Sequence, residues 1–400
     1  MSSALQHRAF RLVFAGTLAS NVGTWMQNVI LIALAYDLTG GATFIGIITF
    51  AQLGPMLVLS PIGGALADRV DRRVLMVTIA ATQAVLSLVL ALVATQPDPN
   101  QAVLVLVVLG IGIGAALNGP AMNATLPTLV DRRDLQGAVA LTSASMNASR
   151  VVGPILGGLV AAVSSAPMVF VVNAATYGFV IFALMAADAD FSAKGKTHES
   201  PVRQIMGGFS AARQDRVIAR VLLTIAIYSV FSLVFIYQMP KIADEQFGLE
   251  GWRYTVLFST FGLGALTGAL SMGSVLARFE RPTMARIGLG TFAVGLAAFA
   301  LASTPWLGFP SVFVAGASYF VVVTALLTTL QLKVHDDMRG RVMGLWMMAW
   351  AGLVPVGGLI AGPIIDAIGM QAVLLAGAVV AALLAAFVDI SDPDLAHEHL

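Results

Sequence analysis

An all-α membrane fold of twelve spanning helices, arranged as two six-helix repeats, is what this sequence predicts. The first sign is composition: of 400 residues, 58% are hydrophobic and only 11% charged, with a mean hydropathy of +0.88. Soluble domains carry about a quarter charged residues, so a soluble fold is excluded. The second is segmentation into apolar runs, each long enough to cross a bilayer at about 20 residues per crossing. The third is the placement of Lys and Arg, which alternates along the chain.

The apolar runs fall at roughly 11–37, 44–67, 74–95, 102–126, 138–163 and 166–187, and then at 218–240, 253–277, 283–303, 308–332, 341–364 and 369–388. With the N-terminus assigned to the cytoplasm, all but three of the 22 Lys and Arg residues fall on cytoplasmic segments or span edges. The exceptions are Lys241 and Arg253, in a longer outer loop, and Arg150, inside the fifth span. This is the positive-inside distribution, and one miscounted helix would scramble it. An even number of spans places both termini in the cytoplasm of a cell-membrane protein. The expected domains are a first bundle at 1–187, a cytoplasmic linker at 188–217 and a second bundle at 218–400 with a short tail. An amphipathic stretch is expected from Val202 to Arg216, and His397 and His399 in the tail read as a solvated end. Arg8 and Arg11 lead straight into the first span, with no cleavable signal pattern.

Absent chemistry narrows the function. There is no cysteine, hence neither a disulfide framework nor a thiolate metal site. Five histidines form no metal constellation, and no glycine loop has phosphate-cradling spacing. No enzymatic activity, cofactor, metal or nucleic-acid partner is expected, and the chain is expected to be a monomer in the lipid bilayer. The net charge of +1 is uninformative, because only the distribution of charge matters here.

The most particular stretch is Gly63-Gly64-Ala65-Leu66-Ala67-Asp68-Arg69-Val70-Asp71-Arg72-Arg73, a charged turn between the second and third spans. Shifted by 209 positions, Gly64 meets Gly273, Arg69 meets Arg278, Asp71 meets Glu280 and Arg72 meets Arg281. The second copy lies between spans eight and nine, with Ala277 in place of Asp68, so the two halves repeat without being equivalent. The pattern Gly64-x-Leu66-Ala67-Asp68-Arg69-x-x-Arg72-Arg73 resembles the loop between helices two and three of major facilitator superfamily transporters. Asp71 stands where that family usually has a second glycine, as in the branch of enterobactin-exporter and macrolide-efflux type proteins.

The resemblance implies two six-helix halves with the substrate path between them. It also implies a gating role for the turn, Asp68 contacting the start of the eleventh helix when the cytoplasmic side is closed. Here that start is Arg339-Gly340-Arg341, so Asp68 is expected to meet Arg339 and Arg341 or else Arg132 and Arg133. Asp68, Arg69, Asp71, Arg72, Arg73, Arg339 and Arg341 are therefore the gating candidates; a solvated turn carboxylate is the alternative for Asp68.

Span five carries Arg150-Val-Val-Gly153-Pro154-Ile-Leu-Gly157-Gly158. The proline removes a backbone donor and the glycines allow close helix approach. The pattern is similar to the fifth-helix motif that the family associates with exporters; a packing kink without directional meaning is the other reading. Arg150 lies about 18 Å into the span at 1.5 Å per residue. A charge at that depth costs at least ~2.5–3.5 kcal/mol and faces a cavity or a partner. It is expected to bind a polar network or a substrate anion, or to be a structural hydrogen-bonded arginine. Asn21, Gln27, Asn147, Tyr228, Trp346 and Trp350 complete the cavity candidates, in a spread of amides and rings that suits a large amphipathic substrate.

Deep carboxylates are missing, and only Asp37 and Asp366 touch spans, both at outer ends. Asp37 sits in the last turn of span one, where the helix dipole disfavours its charge. It is the candidate for proton coupling, with Lys241 or Arg253 as possible partners; an interfacial polar residue is the alternative. The fourth-span arginine of many proton antiporters is absent, since Val108 stands in its place before Gly112-Ile-Gly114-Ala115-Ala116. The reading is a secondary-active, proton-coupled exporter of an amphipathic organic compound, a siderophore, natural product or drug. A lipid or lysophospholipid transporter, or a non-transporting membrane scaffold or sensor, stands as the alternative.

Overall fold

The computed structural model describes residues 3–192, 201–272, 276, 279–335 and 338–390, and among them there is no strand. Within the first half, α1 spans Arg8–Thr39, α2 Ala42–Leu53, α3 Pro55–Arg69, α4 Arg72–Ala94, α5 Gln101–Thr125, α6 Leu135–Val163 and α7 Ala166–Ala186. The second half has α8 at Pro201–Gln214, α9 at Arg216–Ile227, α10 at Met239–Phe247, α11 at Tyr254–Met272 and α12 at Arg281–Leu301. It continues with α13 at Pro305–Lys333, α14 at Arg339–Met347, α15 at Leu353–Ile368 and α16 at Met370–Phe387. Short polar residues begin several of these helices by accepting from otherwise unpaired N–H groups. Asp71 caps α4, Asn100 caps α5 and Asp215 caps α9. Gly40 ends α1 in the left-handed conformation at φ 64°, and Gly369 makes the tight link from α15 to α16 at φ 91°.

Eleven helical stretches among the described residues are long and apolar enough to cross a membrane. The remaining one of the twelve is the seventh, where one continuous span over 218–240 is expected and a broken one is found. After α9 the chain makes a π-helical turn over Tyr228–Ser232 and a 3-10 turn over Val234–Ile236 before α10 begins. Pro240 cannot donate to the Ile236 carbonyl, which fixes the restart. The second span is interrupted at Gly54, because Pro55 cannot donate to the Ala51 carbonyl. The eleventh carries a π-helical turn over Met348–Gly352 and runs on to Ile368, past its expected end. The second-copy residues Gly273, Ala277 and Arg278, the linker lysines Lys194 and Lys196, and the tail histidines lie outside the described residues.

The chain forms two compact units. Unit 1 comprises Met1–Gly40, Ile47–His198 and Gly251–Ser259, and unit 2 comprises Gly41–Gly46, Glu199–Glu250 and Thr260–Leu400. In unit 1, α1 packs on α6 and α7, α4 on α5 and α7, and α3 on α5. One end of that bundle holds a core of Phe10, Val13, Leu75, Met76, Leu126, Leu129, Leu184 and Phe191. In unit 2, α12 packs on α13 and α16, and α8, which falls in the segment expected to be a linker, packs on α14. Each unit contains the first turns of a helix whose remainder lies elsewhere: 41–46 in unit 2 and 251–259 in unit 1.

Candidate functional site

The charged turn after α3 is wired into unit 1 by its arginines. Arg72 is buried, donating from Nε to the Ala67 carbonyl at 3.1 Å and from Nη1 to the Ala124 carbonyl at 3.0 Å. Its Nη2 lies 3.6 Å from the Asp68 carboxylate, one turn earlier. A single guanidinium thus serves carbonyls near the C-terminal ends of α3 and α5, where the helix dipole favours a cation. Arg73 donates from Nη2 to the Ala187 carbonyl at 2.6 Å and lies 4.4 Å over the Phe191 ring. The backbone N–H of Arg72 also donates to the Phe191 carbonyl at 2.9 Å. Asp71 accepts from the Val74 N–H at 3.1 Å as the α4 cap, which is what a carboxylate gains where the family usually has glycine. Arg69 is exposed beside them.

Of the expected partners of Asp68, Arg133 reaches Asp131 at 3.6 Å and Asp134 at 3.8 Å. Asp134 also accepts from His7 Nε2 at 2.8 Å. Asp131, Asp134 and His7 form a group with metal-ligand spacing, and the Arg133 guanidinium lies beside both carboxylates. In unit 2, Arg339 is exposed and Arg341 half-buried. The Arg341 side chain lies across Gly207 of α8, where an added methyl would come 2.8 Å from its Cδ.

The α6 motif is a backbone-to-backbone contact with α1. A methyl on Gly153 would strike the Trp25 Cβ and approach the Val22 carbonyl to 3.0 Å. A methyl on Gly157 would lie 3.1 Å from both Met26 Cα and Met26 O, and one on Gly158 would strike the Thr255 hydroxyl. Pro154 cannot donate to the carbonyl four residues back, which is that of Arg150. The Arg150 guanidinium lies 5.5 Å from the Trp25 ring centroid, and Trp25 in turn meets Phe258 at 6.3 Å. A cation over an indole face gains about 0.5–1 kcal/mol when exposed and ~2 when desolvated. The aromatic face is a partner for Arg150 that the sequence reading did not assign.

Of the candidate amides, one serves contact between helices. Gln27 is fully buried and accepts from Asn173 Nδ2 at 3.0 Å, joining α1 to α7. Asn147 donates to the Ser143 carbonyl of its own helix at 3.1 Å. Asn21 is half-buried on α1. In unit 2, Tyr228 is fully buried edge-on to Phe292, with ring centroids 4.9 Å apart, and Trp346 is buried on α14. Trp350 donates from Nε1 to the Tyr319 hydroxyl at 3.2 Å. Asp37 is exposed in the last turn of α1, and in unit 2 Lys241 pairs with Glu245 at 2.7 Å.

Asp366 is legible in the sequence only as a carboxylate at a span end, yet it accepts three hydrogen bonds from Ala42 and Thr43. The missed signal lies in the repeat: the 209-residue shift superposes Gly153-Pro154 on Gly362-Pro363, and it puts Asp366 where the first half has Gly157.

Two bundles of apolar helices, with internal repetition, a charged turn after the second span and small-residue contacts within each unit, define a polytopic transporter of the major facilitator class. The chain belongs to the transmembrane secretion effector family of that superfamily, whose family model matches residues 2–395. It is 28% identical over 358 residues to the enterobactin exporter EntS of Shigella boydii serotype 4 (strain Sb227), covering 85% of this chain and 81% of that protein. The enterobactin exporter EntS of Escherichia coli O139:H28 (strain E24377A / ETEC) matches with the same identity and coverage. Among solved structures, the nucleoside transporter NupG superposes with a TM-score of 0.71 at 17% identity, over 96% of this chain and 98% of that one. A bacterial homolog of the human lysosomal transporter Spinster, in an inward-facing and unoccupied conformation, gives 0.72 at 14% identity, over 95% and 96%.

Proposed function

We propose that this protein is a secondary-active exporter that moves an amphipathic organic compound out across the membrane by alternating access, coupled to protons. The observation that carries the reading is the family match along nearly the whole chain, joined by full-span similarity to proteins named enterobactin exporters. A siderophore or another aromatic, anion-bearing natural product is the substrate class. Arg150 over Trp25 supports it, because together they offer a charge and a flat apolar face to one ligand. Both termini are assigned to the cytoplasm by the positive-inside distribution. Asp68 is the cytoplasmic latch, alternating between Arg72 within its own turn and the Arg339–Arg341 corner. Asp37 is the proton-responsive carboxylate.

Inside-out membrane vesicles test the reading. With an acidic interior, vesicles containing the protein should accumulate a catecholate siderophore such as enterobactin, and a protonophore should abolish the accumulation. Accumulation that ignores the gradient would remove proton coupling. Absence of accumulation for siderophores, anionic drugs and lysophospholipids alike would remove the exporter reading.

A further inference from the structure

The first turn of α2 is held by a carboxylate far away in the sequence. Asp366, in the last turn of α15, accepts from the Ala42 N–H at 2.8 Å through Oδ1. Through Oδ2 it accepts from the Thr43 N–H at 2.9 Å and from the Thr43 hydroxyl at 2.6 Å. Two of the four N–H groups that α2 leaves unpaired at its start are thereby satisfied, and a negative charge sits at the positive end of the helix dipole. Gln238 donates to the Ala42 carbonyl at 3.2 Å, so the Ala42–Thr43 peptide is gripped on both edges, its C=O by Gln238 and its N–H by Asp366.

The backbones beneath are in direct contact. A methyl on Gly362 would come 2.7 Å from Thr43 Cα and 2.9 Å from the Ala42 carbonyl. One on Gly46 would come 2.6 Å from the Gly358 carbonyl. Gly358, Gly362 and Asp366 recur every four residues, so a single face of α15 carries two seats for backbone and one cap. All these residues lie in unit 2, although the rest of α2, from Ile47 on, lies in unit 1. The repeat shows what is unusual. At the corresponding place in the first half, Gly157 offers no carboxylate to the start of α11.

We propose that Asp366 is a positioning residue of the transport cycle: it latches the outer end of α2 onto α15 and must release it for the carrier to open outward. The proposal rests on the alternating-access reading above. Asp366 is neither a substrate contact nor a fixed strut, because the three bonds it makes all end on one short segment, 42–43, that continues into the other unit. The geometry also forms a counterpart, at the opposite membrane face, to the latch proposed for Asp68.

The chain has no cysteine, so a single reporter can be placed cleanly. Gly358→Cys suits the purpose, since a Cβ there meets only Gly46 Cα at 3.9 Å and is covered by α2. Purified protein in nanodiscs, reacted with a maleimide, reports the fraction of time α2 is away from α15, whatever the orientation and substrate. Asp366→Ala should raise the labelling rate about tenfold, the effect of losing one net charge-assisted hydrogen bond. Asp366→Asn, which keeps an acceptor and loses the charge, and Thr43→Val, which removes one donor, should each give a smaller rise of about threefold. Gly362→Val, which drives a methyl into the Thr43 backbone, is the steric control. If Gly362→Val raises labelling and the Asp366 and Thr43 variants do not, the latch is wrong while movement of α2 stands. Unchanged labelling in every variant overturns both the latch and the alternating-access reading. Should Asp366→Ala not yield folded protein, the Asp366→Asn and Thr43→Val rates decide the matter in the same way.

Discussion

Ser229 donates its hydroxyl to the carbonyl oxygen of Trp350 across 3.1 Å, tying the π-helical turn of one interrupted span to the π-helical turn of another. A π-turn leaves carbonyls without their usual partner four residues on, and in a membrane no water replaces it. Ser232, in the same turn, donates to the Gly377 carbonyl of α16 at 2.9 Å. Ser229→Ala should therefore lower the stability of the detergent-solubilised protein by about 1 kcal/mol, the net value of one such bond. A thermal melt followed by size-exclusion chromatography measures it, and an unchanged melting temperature would mean the hydroxyl is idle.

Arg72 and Asp68 should separate structure from gating. Arg72→Ala removes the donor to two buried carbonyls, each charge-assisted bond worth about 1.5–3 kcal/mol, so little folded protein is expected. Asp68→Asn leaves those bonds in place and should fold normally, while destabilising the cytoplasm-closed state and reducing transport. Reporter cysteines on both faces, introduced into the cysteine-free chain, read the shift directly. Normal labelling together with normal transport in Asp68→Asn would take Asp68 out of the mechanism.

Gly153 and Gly178 make a matched pair of helix glycines with opposite surroundings. A methyl at Gly153 would collide with Trp25 and Val22 on α1, while one at Gly178 would meet nothing within 4 Å. Gly153→Ala should cost about 1–3 kcal/mol by overpacking, and Gly178→Ala should be neutral or slightly stabilising because alanine is the better helix former. The yield of monodisperse protein and its melting temperature test the pair. Equal behaviour of the two variants would show that α6 does not depend on its contact with α1.

What the sequence made legible was whatever is written locally. Span number followed from hydrocarbon length and from the alternation of Lys and Arg, both enforced by the bilayer at each crossing. The repeat was readable because Gly64, Arg69 and Arg72 have counterparts at one fixed shift. The break after Ile227 was not, because Tyr228–Ser232 contains no glycine or proline, and its π-turn depends on hydroxyl donors meeting carbonyls of α16 and of the turn at 348–352. Asp366 escaped for the same reason, since its partners lie 323 and 324 positions away. Arg72 was legible as a charge in a turn, though not as a bridge between α3 and α5, because carbonyl acceptors have no sequence signature. The candidate amides were legible as polar residues in apolar spans, but Gln27 and Asn147 satisfy neighbouring helices or their own backbone, the default use of such groups in lipid.

Arg150 over Trp25 allows the sharpest division between a substrate residue and a strut. The guanidinium is planar and can stack on the indole while its edge donors engage an anion, a combination that the compact ammonium of lysine cannot reproduce. If Arg150 serves substrate, Arg150→Lys should retain folded protein and lower transport of anionic compounds by about tenfold relative to neutral ones of similar size, the cost of losing a bidentate contact. Trp25→Leu should weaken aromatic substrates of both charges, because it removes the flat face and leaves the cation in place. Arg150→Ala should also fold, since it removes the expensive ion together with its contacts. A double-mutant cycle on melting temperatures separates the structural share, with a coupling between Arg150 and Trp25 of about 0.5–2 kcal/mol. Loss of folded protein in Arg150→Ala, joined with an unaltered anion-to-neutral ratio in Arg150→Lys, would make Arg150 a strut holding α6 against α1.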